Sequence, residues 1–367
     1  MTADAETEKE LRETLGGLLR RRCDIETVAA LADGPESWDR DLWRELVAMG
    51  VPGLTVPEEN GGEGAGFSLA VAAQEELGRR LAPVPMVSVV AARTALVAAG
   101  TDEAARLLGR VGSEGMTATL AVGRTTDGWT PAEGVLAVEG SAGWTLDGTV
   151  PVIADAPCAA VFLVAAETGV GPALFAVEPQ DRCVMTPVDA LDPTRPLGAV
   201  GLTACPARLV AGPDAFDDVL RSAERAALVL LAADAVGVAA EAMDLAVEYA
   251  RTRQQFGRAI GSFQAVSHRC ANMLVAVESA RALVAAAAGA LDELGPDTDT
   301  AVSLAAAEAL ETAVVVVQGC LQVHGGMGFT WEHPAHRYLR RAKAAEALVA
   351  LPDRLRERAA TGMLPAA

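Results

Sequence analysis

Tyr249-Ala-Arg-Thr-Arg-Gln-Gln-Phe-Gly-Arg-Ala-Ile-Gly-Ser-Phe-Gln-Ala-Val, ending at Val266, is the stretch on which the fold turns. It breaks one long apolar helical pattern and starts another. Upstream, Asp214 or Asp217 begins a helix that is expected to continue to about Arg253. Downstream, Ser262 follows Gly261 and can cap a second helix through about Leu294. Asp299 or Thr300 begins a third, which runs to the Gly325-Gly326 pair, a natural C-terminal stop. A fourth is expected over Leu339–Arg358, interrupted by Pro352. Three or four long helices in succession imply a bundle.

Working outward, the texture changes before Asp214. Thr117-Ala-Thr-Leu-Ala-Val, Gly134-Val-Leu-Ala-Val-Glu, Trp144-Thr-Leu-Asp-Gly, Ala159-Ala-Val-Phe-Leu-Val-Ala and Ala173-Leu-Phe-Ala-Val read as short strands parted by Gly, Pro and Asp. A β-sandwich or barrel-like unit ending near residue 212 follows. Earlier still, residues 6–112 read as helical. Leu11, Leu15, Leu18 and Leu19 share a face, as do Leu42, Leu46 and Val47 in the segment that starts at Ser37. The run from Glu58 to Gly66 is a glycine-rich loop with no phosphate-loop ending. Ser68 can then cap a helix through Leu81, which Pro83 and Pro85 stop. The expected organisation is α+β: an N-terminal helical domain over 1–115, a middle β-domain over 116–212 and a C-terminal four-helix bundle over 213–367.

Hydrophobic residues make up 51% of the 367 residues and charged ones 22%, enough for a large core and against wholesale disorder. The formal net charge is −19, which disfavours general nucleic-acid binding and docking on anionic lipid. The acidic start MTADAETEKE reads as no secretory signal, and the apolar runs 226–240 and 312–331, broken by Asp234, Gln318, Gln322 and His324, read as no membrane span. Six cysteines without a CxxC pair suggest reduced thiols in the cytoplasm. His333 and His336 are separated by Pro334 and lack further ligands, so no metal site is expected.

Four segments together resemble the acyl-CoA dehydrogenase family. They are the Tyr249–Val266 stretch, Val56-Pro-Glu-Glu-Asn-Gly-Gly-Glu-Gly-Ala-Gly, Leu321-Gln-Val-His-Gly-Gly-Met-Gly-Phe-Thr and Arg337-Tyr-Leu-Arg-Arg-Ala-Lys. Their order and spacing fit nearly the whole chain. The resemblance implies FAD as cofactor, an acyl-CoA or other acyl thioester as substrate and an electron-transfer flavoprotein or similar acceptor. It also implies α,β-desaturation: a carboxylate takes the α-proton and a hydride leaves the β-carbon for the flavin. Arg253 matches the arginine that reaches a neighbouring subunit's flavin pyrophosphate, for which a forked guanidinium is suited. Phe256 and Gln264 match flavin-contacting positions. Gln322, Gly325 and Gly326 match the segment approaching the adenosine half of a neighbour's flavin, where glycine allows close backbone approach.

The departures from the family are as informative. Its two usual base positions fall here on Ala227 and Val349, neither of which takes a proton; Glu224 and Glu346 lie one turn away. Asp234 sits in an apolar stripe about 10 Å along the helix from Ala227. It is expected either to partner a buried arginine or amide or to serve as a base. The flavin-ring motif is replaced by Ala121-Val-Gly-Arg-Thr-Thr-Asp-Gly, and counting from Gly148 puts Val152 and Ala154 where the family has its flavin-shielding tryptophan and a threonine. The chain thus resembles the base-lacking subunit of actinobacterial heteromeric acyl-CoA dehydrogenases, with a paralogous subunit as partner. The alternatives are an autonomous homo-oligomer using Asp234 or Glu346, and a non-catalytic scaffold.

Overall fold

A computed structural model describes residues 3–34, 38–113, 115–141 and 143–363; Ser37 lies outside them. The N-terminal part is helical: α1 (Ala3–Arg22), α2 (Ile25–Ala32), α3 (Arg40–Ala48), α4 (Gly66–Arg79), α5 (Met86–Ala99) and α6 (Asp102–Ser113). The expected leucine faces are the buried ones: Leu15, Leu18 and Leu19 on α1, and Leu42 and Leu46 on α3, with Val47 half-buried. The start of α4 differs from expectation. Ser68 is not its cap; Asp292, more than two hundred residues away, accepts from the Phe67 amide at 2.6 Å and the Ser68 amide at 3.2 Å. A carboxylate there meets the unpaired first-turn amides and the positive end of the helix.

The middle part is a sheet that closes on itself. Its strands are β1 (Ala118–Ala121), β4 (Leu136–Gly140), β5 (Gly143–Ala154), β6 (Val161–Thr168), β7 (Gly171–Val177), β8 (Cys183–Val188) and β9 (Leu197–Ala211), while β2 (Gly123–Thr125) and β3 (Gly128–Thr130) form a separate hairpin. The order β1-β6-β4-β5-β9-β7 is joined by a β6–β7 pairing, so the path returns to β6 and leaves a barrel. Phe162, Val164, Phe175, Val150 and Val200 fill it. The strands β2, β3, β8 and β9 fall outside the expected strand runs.

The C-terminal part comprises α7 (Pro213–Thr252), α8 (Gln264–Glu293), α9 (Thr298–His324), α10 (Ala335–Ala345) and α11 (Pro352–Met363), with a two-residue pairing of β10 (Gln254–Gln255) and β11 (Arg258–Ala259) in the α7–α8 connection. Pro213 opens α7 at its first position, where its missing N–H costs nothing. Three expectations are corrected here. Ser262 lies in a short 3₁₀ turn and makes no cap to α8. The third helix begins at Thr298 rather than at Asp299 or Thr300, and the expected fourth helix is two, with Pro352 starting the second. The α9 helix does end at Gly325, whose φ is +59°. By length and composition alone α7, α8 and the stretch Thr298–Gly328 are long and apolar enough to cross a membrane. Yet 94% of the apolar window of α7 is buried inside the protein.

One apolar core runs from α1 through α4 and α5 into α7 and α9. The α4–α7 crossing is glycine-mediated: a Cβ on Gly78 would lie 2.4 Å from the Asp234 carbonyl oxygen, and one on Gly237 2.1 Å from that of Glu75. The two backbones touch, which fixes α7 against the N-terminal helices just where its midsection faces the barrel.

Candidate functional site

Between α5, α7 and the barrel lies a cavity of about 50 Å³. The four positions at which the sequence departs from the family converge on it: Val152 and Ala154 from β5, Ala227 from α7, and Val349 from the α10–α11 connection. Its other walls include Val87, Leu120, Trp129, Ile153, Leu231 and Leu348, all apolar. A larger groove of about 840 Å³ adjoins it, bounded by Gly123–Thr126, Thr149–Val152 and Val349–Leu351. Val122, Arg124, Val152 and Val349 belong to both.

The β2–β3 hairpin is a fixed wall of this region. The Trp129 amide donates to Glu224 at 2.7 Å, the indole Nε1 donates to the Leu348 carbonyl at 3.4 Å and the Leu351 amide to the Thr126 carbonyl at 3.1 Å. Arg358 donates to the other Glu224 oxygen at 2.8 Å. Glu224 is therefore occupied in holding the hairpin. Glu346 pairs with Lys343 at 2.9 Å and does not line the cavity.

Asp234 is fully buried behind the cavity, joined to its wall through Arg195, whose Nη2 lies 2.7 Å away. Arg341 grips the carboxylate through Nη2 at 2.7 Å and Nε at 3.1 Å, and Gln74 donates at 2.9 Å. Burial pushes this carboxyl up, but Arg195 and Arg341 outweigh it and hold it below the ordinary range. Arg341 also donates to Thr194 at 2.8 Å, and Thr194 donates to Asp192 at 2.6 Å. The arrangement ties α4, α7, α10 and the β8–β9 connection together. It supports the buried-partner reading of Asp234 over the base reading, since an aspartate gripped by two cations is a poor proton acceptor.

Three charged residues of the cavity have no role in the sequence reading. Asp155 has φ +54°, accepts from Ser88 at 2.6 Å, and burial pushes its carboxyl up to about 6. Arg195 leaves Nη1 without a hydrogen-bond partner. Arg124 is half-buried, with no hydrogen bond or ion pair among the described residues, and burial pushes its guanidinium down. Arg124 was visible as the charged residue in the replaced ring motif. No sequence signal marks Arg195, which a fold-level contact brings in.

The expected flavin clamp lies elsewhere. Arg253 caps the end of α7, exposed and without an ion-pair partner among the described residues. Phe256 is 91% exposed at φ +52°. Gln264 opens α8, and Gln322 is exposed near the end of α9. Tyr249 stacks on His324 at 4.4 Å, which brings the end of α7 to the Gly325 turn. A Cβ on Gly325 or Gly326 would meet nothing within 4 Å, so open space faces this backbone. Twenty-six residues of α7 part Arg253 from Ala227, about 40 Å of helix. This cluster cannot act on a ligand at the chain's own cavity. Its exposed cation, amides and open backbone fit the phosphates and adenosine of a flavin dinucleotide. In the in-cis wall Val152 and Ala154 put aliphatic side chains where the family has its shielding tryptophan and its threonine.

Two family models match the chain: "Acyl-CoA dehydrogenase, N-terminal domain" over residues 5–113 and "Acyl-CoA dehydrogenase, C-terminal domain" over 223–348. It is 34% identical to acyl-CoA dehydrogenase IpdE2 of Mycobacterium tuberculosis, over 93% of this chain and 92% of the relative. Among solved structures, one subunit of the ChsE4–ChsE5 complex from Mycobacterium tuberculosis superposes with a TM-score of 0.86 at 31% identity, covering 100% of this chain and 99% of that one. A Tcur3481–Tcur3483 steroid ACAD variant gives 0.87 at 30% identity, with 98% of both chains covered.

Proposed function

Since the chain belongs to the acyl-CoA dehydrogenase family, we propose that it is the base-lacking subunit of a heteromeric, FAD-dependent desaturase of acyl thioesters in the cytoplasm. The observation that carries this is spatial. Ala227, Val349, Val152 and Ala154 meet in one cavity, so the two usual base positions and the two counted ring positions are altered together. The clamp residues, about 40 Å away, are free to serve another subunit.

A bound flavin would supply the hydride acceptor for the β-carbon of the acyl group. This chain's part is to hold that flavin in trans. Arg253 would supply a charge-assisted contact to the pyrophosphate, Gln322 and the Gly325–Gly326 backbone would approach the adenosine half, and Phe256 and Gln264 would contact the flavin. The paralogous partner supplies the base and the ring pocket, and an electron-transfer flavoprotein or similar acceptor takes the electrons. The names ChsE4–ChsE5 and Tcur3481–Tcur3483 each denote a pair of chains, which supports the heteromeric reading.

The test is to purify the chain alone and co-expressed with a candidate paralogue, measuring flavin per chain and desaturation of acyl-CoA. Alone it should carry little flavin and no activity; with its partner both should appear. In the complex, Arg253→Ala should remove a contact worth about 1.5–3 kcal/mol and weaken flavin retention at least tenfold. A homo-oligomer with one flavin per chain and full turnover would establish the autonomous enzyme instead.

A further inference from the structure

We propose that the groove beside the cavity binds the carboxylate of an organic acid with an apolar body, and that Arg124 is the residue that takes it. Arg124 stands where cavity and groove meet. Its backbone is held in register opposite Trp129 by a hairpin that Glu224, Leu348 and Leu351 anchor through three hydrogen bonds. A half-buried guanidinium on a fixed strand has lost part of its water, and among the described residues nothing replaces it. That cost is recovered when an anion arrives, and a carboxylate matches the planar fork bidentately.

The surroundings select the class of anion. The groove wall carries the hydroxyls of Thr130 and Thr149 beside Pro131, Val150, Pro151 and Leu351, a lining for an apolar body with few polar groups. Repulsion is low. The two positions where family carboxylates would stand are Ala227 and Val349; Asp155, the carboxylate of the cavity wall, has its charge opposed by Arg195, and Glu133 is exposed. Arg195 adds a second positive group to the cavity wall, with Nη1 unpartnered. Loss of the carboxylates and the presence of Arg124 act in one direction, turning a proton-abstracting pocket into an anion-accepting one. The inference rests on the proposed function only in taking this groove to hold no flavin ring, which flavin absorbance reports separately.

Calorimetric titration of the purified full-length chain, or of its complex with the partner, with hexanoate, hexanamide and inorganic phosphate tests this. Hexanoate should bind, with hexanamide at least tenfold weaker and phosphate weaker than hexanoate. Arg124→Leu should weaken hexanoate at least tenfold. Val349→Glu, which returns a carboxylate to the shared wall, should weaken it while Arg124 is intact, and decides the matter if Arg124→Leu does not fold. Equal affinity for hexanoate and hexanamide, unchanged hexanoate affinity in either folded variant, or tighter binding of phosphate would each overturn the proposal. So would loss of flavin from Arg124→Leu with hexanoate affinity unchanged, which would give the residue to the cofactor.

Discussion

Two buried aspartates show how environment decides what one side chain does. Asp234 has two arginines, and its carboxyl is held below the ordinary value of 3.8. A lowered value means stability present above the unfolded pKa and lost as pH falls through the folded one. Asp234→Asn should leave Arg341 and Arg195 facing a neutral amide and cost about 3–5 kcal/mol. Urea unfolding reads this; a stable variant would deny the network its role. Asp155 has the opposite sign. Burial raises it to about 6 against the Ser88 hydrogen bond, so its contribution is intact below about pH 4 and lost as pH rises through 6. The ionised form costs about 3 kcal/mol, taking 1.36 kcal/mol per pKa unit. Asparagine tolerates a positive φ and still accepts from Ser88. Asp155→Asn should therefore match the parent near pH 4 and exceed its stability near pH 8, and parallel pH profiles would refute the assignment.

At the level of elements, the α4–α7 crossing is the point where one carbon atom matters most. Gly237→Ala puts a methyl 2.1 Å from a carbonyl oxygen that cannot swing away, because it belongs to a helix. The helices must part, at about 1–3 kcal/mol or more. Gly289→Ala is the control: no atom lies within 4 Å of its Cβ position, and it should be neutral or slightly stabilising. Equal melting temperatures for the two variants would show that the crossing adapts. The same elements show what a sequence discloses. The long helices were legible from apolar spacing and the Gly325 stop, both local signals. Their caps were not, because Asp292 caps α4 from another helix and Phe263, before α8, makes no side-chain cap. The β9 strand was hidden by its own composition. Its inward positions include Gly198, Val200, Leu202 and Cys205, and glycine at an inward position gives no hydrophobic alternation to read. At the site, Ala227, Val349, Val152 and Ala154 were legible by motif counting, and Asp155 follows Ala154 in the same motif, whereas Arg195 joins the cavity only through packing.

For the whole molecule, the distribution of apolar surface argues for assembly. The helices α7 and α8 are comparably apolar, with mean hydropathy of 1.8 and 1.6 over their best windows, yet 94% of one window is buried and only 33% of the other. Leu274 and Val275 on α8 and Val315 on α9 are exposed at 47%, 66% and 61%. A 30-residue helix this apolar would be a liability on a lone subunit, where such patches mark interaction surfaces. The occupant that fits is a related subunit, because the flavin clamp proposed for this chain would serve only a neighbour. Shared cofactor and apolar face would then stabilise one assembly by linkage. Leu274→Glu with Val275→Glu places two charges on that face without touching Arg253, Gln322 or the cavity. The expected outcome is a shift to smaller species by light scattering, with helical content retained and flavin lost in step with the fall in mass. An assembly of unchanged mass would remove α8 from the interface. A smaller assembly that keeps its flavin would break the link between subunit contact and cofactor retention on which the in-trans clamp depends.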